Sequence, residues 1–194
     1  MLVREDDNEI EFITDTYNNP IDLVTYVQNN FSYKTKRPLG YLKPFVRKSF
    51  FIKHCIKYDD QLRNSEDFLL ILRALICGAN LRYLDYSGYI YNVFNSSISA
   101  KFNDHQNSNF ICAMQDLLQE YAHKISHLEK NIIGKHIRYR ALSSHMHQLI
   151  KYCKTFSIRG ICNVFKQVNF RDKITLFALL INLLIRRLGS KKRF

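Results

Sequence analysis

Asn64-Ser65-Glu66-Asp67-Phe68-Leu69-Leu70 opens the helix from which the rest of the chain is read. Asn64 or Ser65 can cap it by accepting a hydrogen bond from a free backbone N–H. Glu66 and Asp67 fall in its first turn, where the helix dipole favours each carboxylate by ~0.3–1 kcal/mol. Phe68, Leu69, Ile71, Leu72, Leu75 and Ile76 make the helix apolar on most sides, which predicts burial. Gly78 supplies the left-handed residue that ends it. An acidic pair at a helix start is first of all a helix-stabilising device. It is also where chemistry would place a general base, ionised and held on a rigid support.

Upstream, Glu9-Ile10-Glu11-Phe12-Ile13 alternates like a half-buried strand. Asn18-Asn19-Pro20 reads as a turn and helix start, followed by Ile21, Val24 and Val27 at helical spacing. Lys34-Thr35-Lys36-Arg37-Pro38-Leu39-Gly40 is a basic loop, and Val46 to Ile56 fits a short helix. Downstream, Leu81 to Leu84 and Gly88 to Val93 read as strands. After about Lys101 the pattern becomes helical. Phe110, Met114, Leu117, Leu118, Tyr121, Ile125 and Leu128 predict one long amphipathic helix, broken at Gly134. A second runs on to about Lys154, with further helices near Ser157 to Val168 and Arg171 to Leu188.

The segments around the acidic pair carry a resemblance. Leu39-Gly40-Tyr41-Leu42-Lys43-Pro44 is similar to an "lgylkP" run, and Phe45 to Phe50 to a "lirr-aromatic" segment. Ile56-Lys57-Tyr58-Asp59-Asp60 is similar to "irfde". Gly78 with Leu81-Arg82-Tyr83-Leu84 matches the turn and strand after the pair, and Tyr89-Ile90-Tyr91 then Ser96-Ser97-Ile98-Ser99 matches the close of the domain. In this order they resemble the acceptor-side part of a family-2 glycosyltransferase, the inverting GT-A type that builds succinoglycan and other exopolysaccharides. The resemblance spans residues 35 to 100, about one third of the chain.

The resemblance implies an α/β remnant of a GT-A glycosyltransferase domain in residues 1–100, lacking the N-terminal nucleotide-binding half. A mainly α-helical C-terminal region in residues 101–194 would follow it. It implies that Asp67 is the general base, with Glu66 beside it on the acceptor side, and that Gly40, Lys43 and Tyr91 bind substrate. Asn92 stands where the family often has a basic residue near the donor diphosphate. A complete enzyme of this family would use a divalent metal, Mg or Mn, held by an Asp-x-Asp motif on a strand of the nucleotide half. No such motif is evident, so this chain alone is expected to bind no metal. Asp6 and Asp7 are candidates only as a carboxylate pair, because no apolar strand precedes them. The implied partners are a nucleotide-sugar donor and a glycan or lipid-linked acceptor. Little transfer is expected from this chain alone.

With 194 residues, 46% apolar and 24% charged, the chain suits a folded domain with a helical extension. A net charge of +12 favours an anionic partner. No nucleic-acid-binding motif is recognisable, and the aromatic residues follow core patterns, so nucleic acid is not expected. Cys55, Cys77, Cys112, Cys153 and Cys162 show no Cys-x-x-Cys spacing and read as reduced, buried residues of a cytoplasmic protein. His123 and His127, four apart on one helix face, lack a third zinc ligand. The longest apolar run, Ile174 to Ile185, falls short of the ~20 residues that span a bilayer. Ile174, Phe177, Leu180, Ile181, Leu184 and Leu188 nevertheless form an apolar face, with Arg186, Arg187, Lys191, Lys192 and Arg193 beyond. Two readings stay open: a helix lying on an anionic membrane surface, or a core helix with a solvated basic tail. The first permits peripheral attachment to the inner face of the cell membrane. It also supports the alternative to an enzyme, a non-catalytic basic membrane- or partner-binding protein.

Overall fold

In the computed structural model the elements run β1 (Leu2–Glu5), β2 (Glu9–Phe12), α1 (Leu23–Gln28), α2 (Lys48–Lys53), α3 (Glu66–Ile76), β3 (Ile90–Val93), α4 (Asp104–Glu120), α5 (His127–Lys154) and α6 (Ile158–Gln167). A further helix, α7, occupies residues 170–177, and residue 181 is again helical. The structure describes residues 2–5, 9–12, 20–31, 39, 44–84, 90–93, 104–177 and 181, with backbone alone for 2–5, 9–12, 90–93 and 104.

The described residues are mainly α-helical, and the α/β remnant of a GT-A domain expected for residues 1–100 is not seen in them. The three strands have four residues each and form one sheet in the order β2-β1-β3. β1 runs antiparallel to β2, with Leu2 opposite Phe12, and parallel to β3, with Leu2 opposite Ile90. Leu81 to Leu84 is not a strand. It makes a single bridge, in which the Ile21 N–H donates to the Leu81 carbonyl at 2.9 Å. The described core comes instead from helices and the loops that close them.

By its contacts the chain divides into residues 1–137 and 138–194. The boundary expected near residue 100 follows the turn to a helical pattern after about Lys101 and the end of the family resemblance, which is a different kind of division.

In the first unit α3 is the central element. Phe68, Leu69, Leu70, Ile71, Leu72 and Ala74 are all buried, and each large side chain contributes about 1.5–3 kcal/mol by leaving water. Gly78 ends the helix as expected, with φ of +86°. The Gly78 N–H donates to Leu75 O and the Ala79 N–H to Ala74 O, both at 2.9 Å, which satisfies the last carbonyls. The start differs from expectation. Ser65 is itself left-handed, with φ of +64°, and its side chain makes no capping bond; its hydroxyl meets Asn64 Oδ1 at 3.2 Å. α1 starts at Leu23 rather than at Pro20, because Asp22 Oδ1 accepts from the Thr25 N–H at 2.6 Å.

The helix break also moves. α4 stops at Glu120, and α5 runs straight through Gly134. The cause is a reciprocal cap. Glu129 Oε2 accepts from the Ser126 N–H at 2.8 Å and from its hydroxyl at 2.7 Å, while the Glu129 N–H donates to Ser126 Oγ at 3.3 Å. His123 therefore lies in a turn and His127 on a helix, so the two do not share a helix face. The cysteines are free, but Cys55, Cys112, Cys153 and Cys162 are exposed rather than buried.

The second unit packs α5, α6 and α7 around Leu149, Val164, Val168 and Leu176. Ser157 caps α6 by accepting from the Gly160 N–H at 3.2 Å. Arg138 donates through Nε to Asp172 Oδ1 at 2.7 Å and through a second guanidinium nitrogen to the same oxygen. Asn169 caps α7 by accepting from the Asp172 N–H at 2.9 Å. Gly160 is the tightest point of this unit, since a Cβ there would lie 2.3 Å from the Tyr152 ring. Gly160→Ala is expected to cost about 1–3 kcal/mol, read as a lower melting temperature. An unchanged melt would show that the Tyr152 ring swings aside freely.

Candidate active site

Asp67 and Glu66 sit in the first turn of α3, half-buried, directly after the left-handed Ser65. A non-glycine residue held there carries backbone strain. The chain enters α3 through residues 57–62, which are tied to its flank. Arg73 of α3 donates to the Lys57 carbonyl at 3.3 Å and pairs with Asp59 at 3.8 Å. Asp59 Oδ1 accepts from the Gln61 N–H at 3.1 Å. Asn109 of α4 donates to the Gln61 carbonyl at 3.3 Å. Ile56 packs with Leu70 and Ala74, and Leu62 is buried.

That anchoring places Tyr58 over the start of α3. Its phenol donates to Asp67 Oδ1 at 2.9 Å. Burial pushes the phenol above its usual value, and the hydrogen bond and charge of Asp67, then the charge of Glu66, push the same way. The contact thus survives through neutral and mildly alkaline pH and is lost as pH rises through the raised value. Beneath α3 lies a second phenol, Tyr26 of α1. It is buried, and burial first and Asp67 second raise its pKa. Its hydroxyl points to the Phe68 carbonyl at 3.4 Å.

The residue after the carboxylate pair anchors the site to the core. Phe68 stacks on Tyr26 with centroids 5.3 Å apart and on His136 of α5 at 4.9 Å, and tilts against Phe110 of α4 at 5.8 Å. Phe31 closes edge-on to His136 at 5.0 Å. The first turn of α3 therefore stands on a stack that joins α1, α4 and α5. An Asp carboxylate so fixed, with a neutral phenol on one oxygen, can accept a proton from a hydroxyl brought within hydrogen-bond reach.

Of the residues that sequence reasoning gave a catalytic, substrate-binding or metal role, only Glu66 and Asp67 have described side chains. Tyr91 lies in β3 opposite Val3, with its backbone alone described. Gly40, Lys43, Asp6 and Asp7 lie outside the described residues, as do Arg186 to Arg193. Among the described residues no group of three or more His, Cys, Asp or Glu could hold a metal ion. Asp59 is paired with Arg73 at 3.8 Å. Tyr58 is the residue that sequence reasoning left out. Its signal was the aromatic position in Ile56-Lys57-Tyr58-Asp59-Asp60, which marked a family pattern but not a partner for Asp67.

The chain is similar to two proteins of Rhizobium meliloti (strain 1021). It is 30% identical over 103 residues to the succinoglycan biosynthesis protein ExoO, across 53% of this chain and 29% of that protein. It is 38% identical over 81 residues to the succinoglycan biosynthesis protein ExoU, across 41% of this chain and 24% of that protein. The chain thus spans less than a third of the length of either relative. No protein-family profile matches it, and no solved structure matches it.

Proposed function

We propose that residues 44–84 form the acceptor side of an inverting glycosyl-transfer site in exopolysaccharide synthesis, with Asp67 as general base. The observation that carries this is the fixed pair of Tyr58 and Asp67 at the start of a buried helix. The ordered resemblance to family-2 glycosyltransferases and the similarity to two succinoglycan biosynthesis proteins support it.

In this reading a sugar hydroxyl of a glycan or lipid-linked acceptor approaches Asp67. Its proton passes to the carboxylate while its oxygen bonds to the anomeric carbon of the donor. The bond from that carbon to the diphosphate breaks, and its electron pair leaves with the nucleoside diphosphate. Attack from the opposite face inverts the configuration. A divalent cation, where bound, would neutralise charge on the leaving group. Glu66, next in the chain, faces the acceptor side, and Gly40, Lys43 and Tyr91 contribute to substrate binding. Tyr58 acts through Asp67 as a positioning residue. Tyr58→Phe is expected to lower kcat roughly 3–10-fold at unchanged donor KM, because an exposed bond to a charged group contributes modestly. Equal loss in kcat and donor affinity would argue for a wider structural role.

The reading is tested by calorimetric titration of the protein with neutral and acidic oligosaccharides and, separately, with nucleotide sugars. Binding of oligosaccharide that is weakened by Asp67→Ala or Tyr58→Ala is expected. Binding of no oligosaccharide, or binding indifferent to both variants, would overturn it.

A further inference from the structure

Residues 138–194 hold 13 Lys and Arg against a single carboxylate, Asp172, whereas residues 1–137 hold 16 basic and 16 acidic side chains. The net charge of +12 therefore belongs wholly to the second unit. Its one carboxylate is already engaged by Arg138.

The same unit exposes large apolar side chains. On α7, Asp172 and Leu176 are buried, while Phe170, Ile174 and Phe177 are 76%, 58% and 58% exposed. At about 100° per residue these three share an arc of about 60°. Arg171 and Lys173 flank that arc on its two sides. Ile181, also helical, keeps the spacing and is exposed. At the end of α5, Phe156 holds a left-handed backbone with φ of +51°, and its ring is 90% exposed. The Ser157 N–H donates to the Tyr152 carbonyl across it at 3.0 Å, the helix ending that glycine normally serves. A bulky residue is thus kept at a strained position with its ring in water, where strain points to use. Ile158 beside it is exposed as well.

We propose that the second unit docks on an anionic lipid surface, laying the Phe170, Ile174 and Phe177 stripe into the headgroup boundary with Arg171 and Lys173 against lipid phosphates. The charge of the unit is complementary to such a surface, and the stripe between basic flanks is the pattern of an in-plane helix. No helix among the described residues is long and apolar enough to cross a membrane. Nucleic acid fits less well, since a phosphate backbone would leave the exposed apolar surface of Ile158, Ile174 and Ile181 in water. This inference does not depend on the role of Asp67.

Flotation of the whole protein with phosphatidylcholine vesicles, with and without phosphatidylglycerol, tests it. Binding should require the anionic lipid and weaken with salt. Phe170→Ser, Ile174→Ser and Phe177→Ser together should weaken it roughly tenfold or more while the melting temperature holds. Phe156→Gly should raise the melting temperature yet weaken vesicle binding. Arg171→Gln with Lys173→Gln should weaken binding without changing the fold. Glycerol phosphate at equal phosphate concentration should not release the protein. No binding at low salt, binding indifferent to the stripe, release by the soluble phosphate, or tighter stripe-independent binding to RNA would each overturn the proposal.

Discussion

Phe68→Ala is expected to destabilise the protein by about 3–5 kcal/mol, the range for removing a fully packed aromatic side chain. Phe68 is the shared member of the stack. Its ring contacts Tyr26 on α1, Phe110 on α4 and His136 on α5. Loss of the ring leaves three elements without their common neighbour, and the cavity cannot close unless helices move. Domains are stable by only about 5–15 kcal/mol, so the variant should unfold at markedly lower urea. Phe68→Leu keeps most of the volume and should cost less. A Phe68→Ala midpoint within about 1 kcal/mol of wild type would mean that the stack is not what joins α3 to its neighbours.

That stack shows where sequence reading stops. The existence, burial and C-terminal end of α3 follow from its apolar run and Gly78, because both signals are local. The meeting of Phe31, Phe68, Phe110 and His136 does not, because it depends on tertiary packing across residues far apart in the chain. The break before α5 is legible in the sequence: Ser126 and Glu129 form a capping pair at the right spacing, whereas a glycine inside a long helix, such as Gly134, is tolerated. Leu81 to Leu84 has strand-like composition, but among the described residues only Leu81 forms a bridge, so propensity alone does not make it a strand. Apolar surroundings suggest buried cysteines, but helical position decides exposure residue by residue, and four of the five are exposed.

At the site the same division holds. Two carboxylates at a helix start were legible, and so was the similarity of the surrounding segments to succinoglycan biosynthesis proteins. The left-handed Ser65 was not, since serine is an ordinary capping residue and its backbone state is set by how the loop arrives. Tyr58 lies nine residues before Asp67, and only the anchoring of residues 57–62 through Arg73 and Asn109 brings its phenol to the carboxylate.

Asp67→Asn carries the second large effect. The amide keeps the size of the side chain and can still meet the Tyr58 phenol, but it cannot take a proton from an alcohol. General-base assistance is worth about 10²–10⁴-fold, so kcat in the enzyme that carries this segment should fall by that amount. Stability should change little, because the carboxylate is half-buried at a helix start and contributes ~0.3–1 kcal/mol through the dipole. Glu66→Gln should cost far less, since the role proposed for it is beside the acceptor rather than in the proton transfer.

The most direct test is the initial rate of sugar transfer by the enzyme that carries this segment, as wild type and as Asp67→Asn, with one donor and one acceptor and the two proteins melted side by side. The account predicts a rate loss of about 100-fold or more at an unchanged melting temperature. Turnover retained within a few-fold of wild type would contradict the assignment of Asp67 as the base.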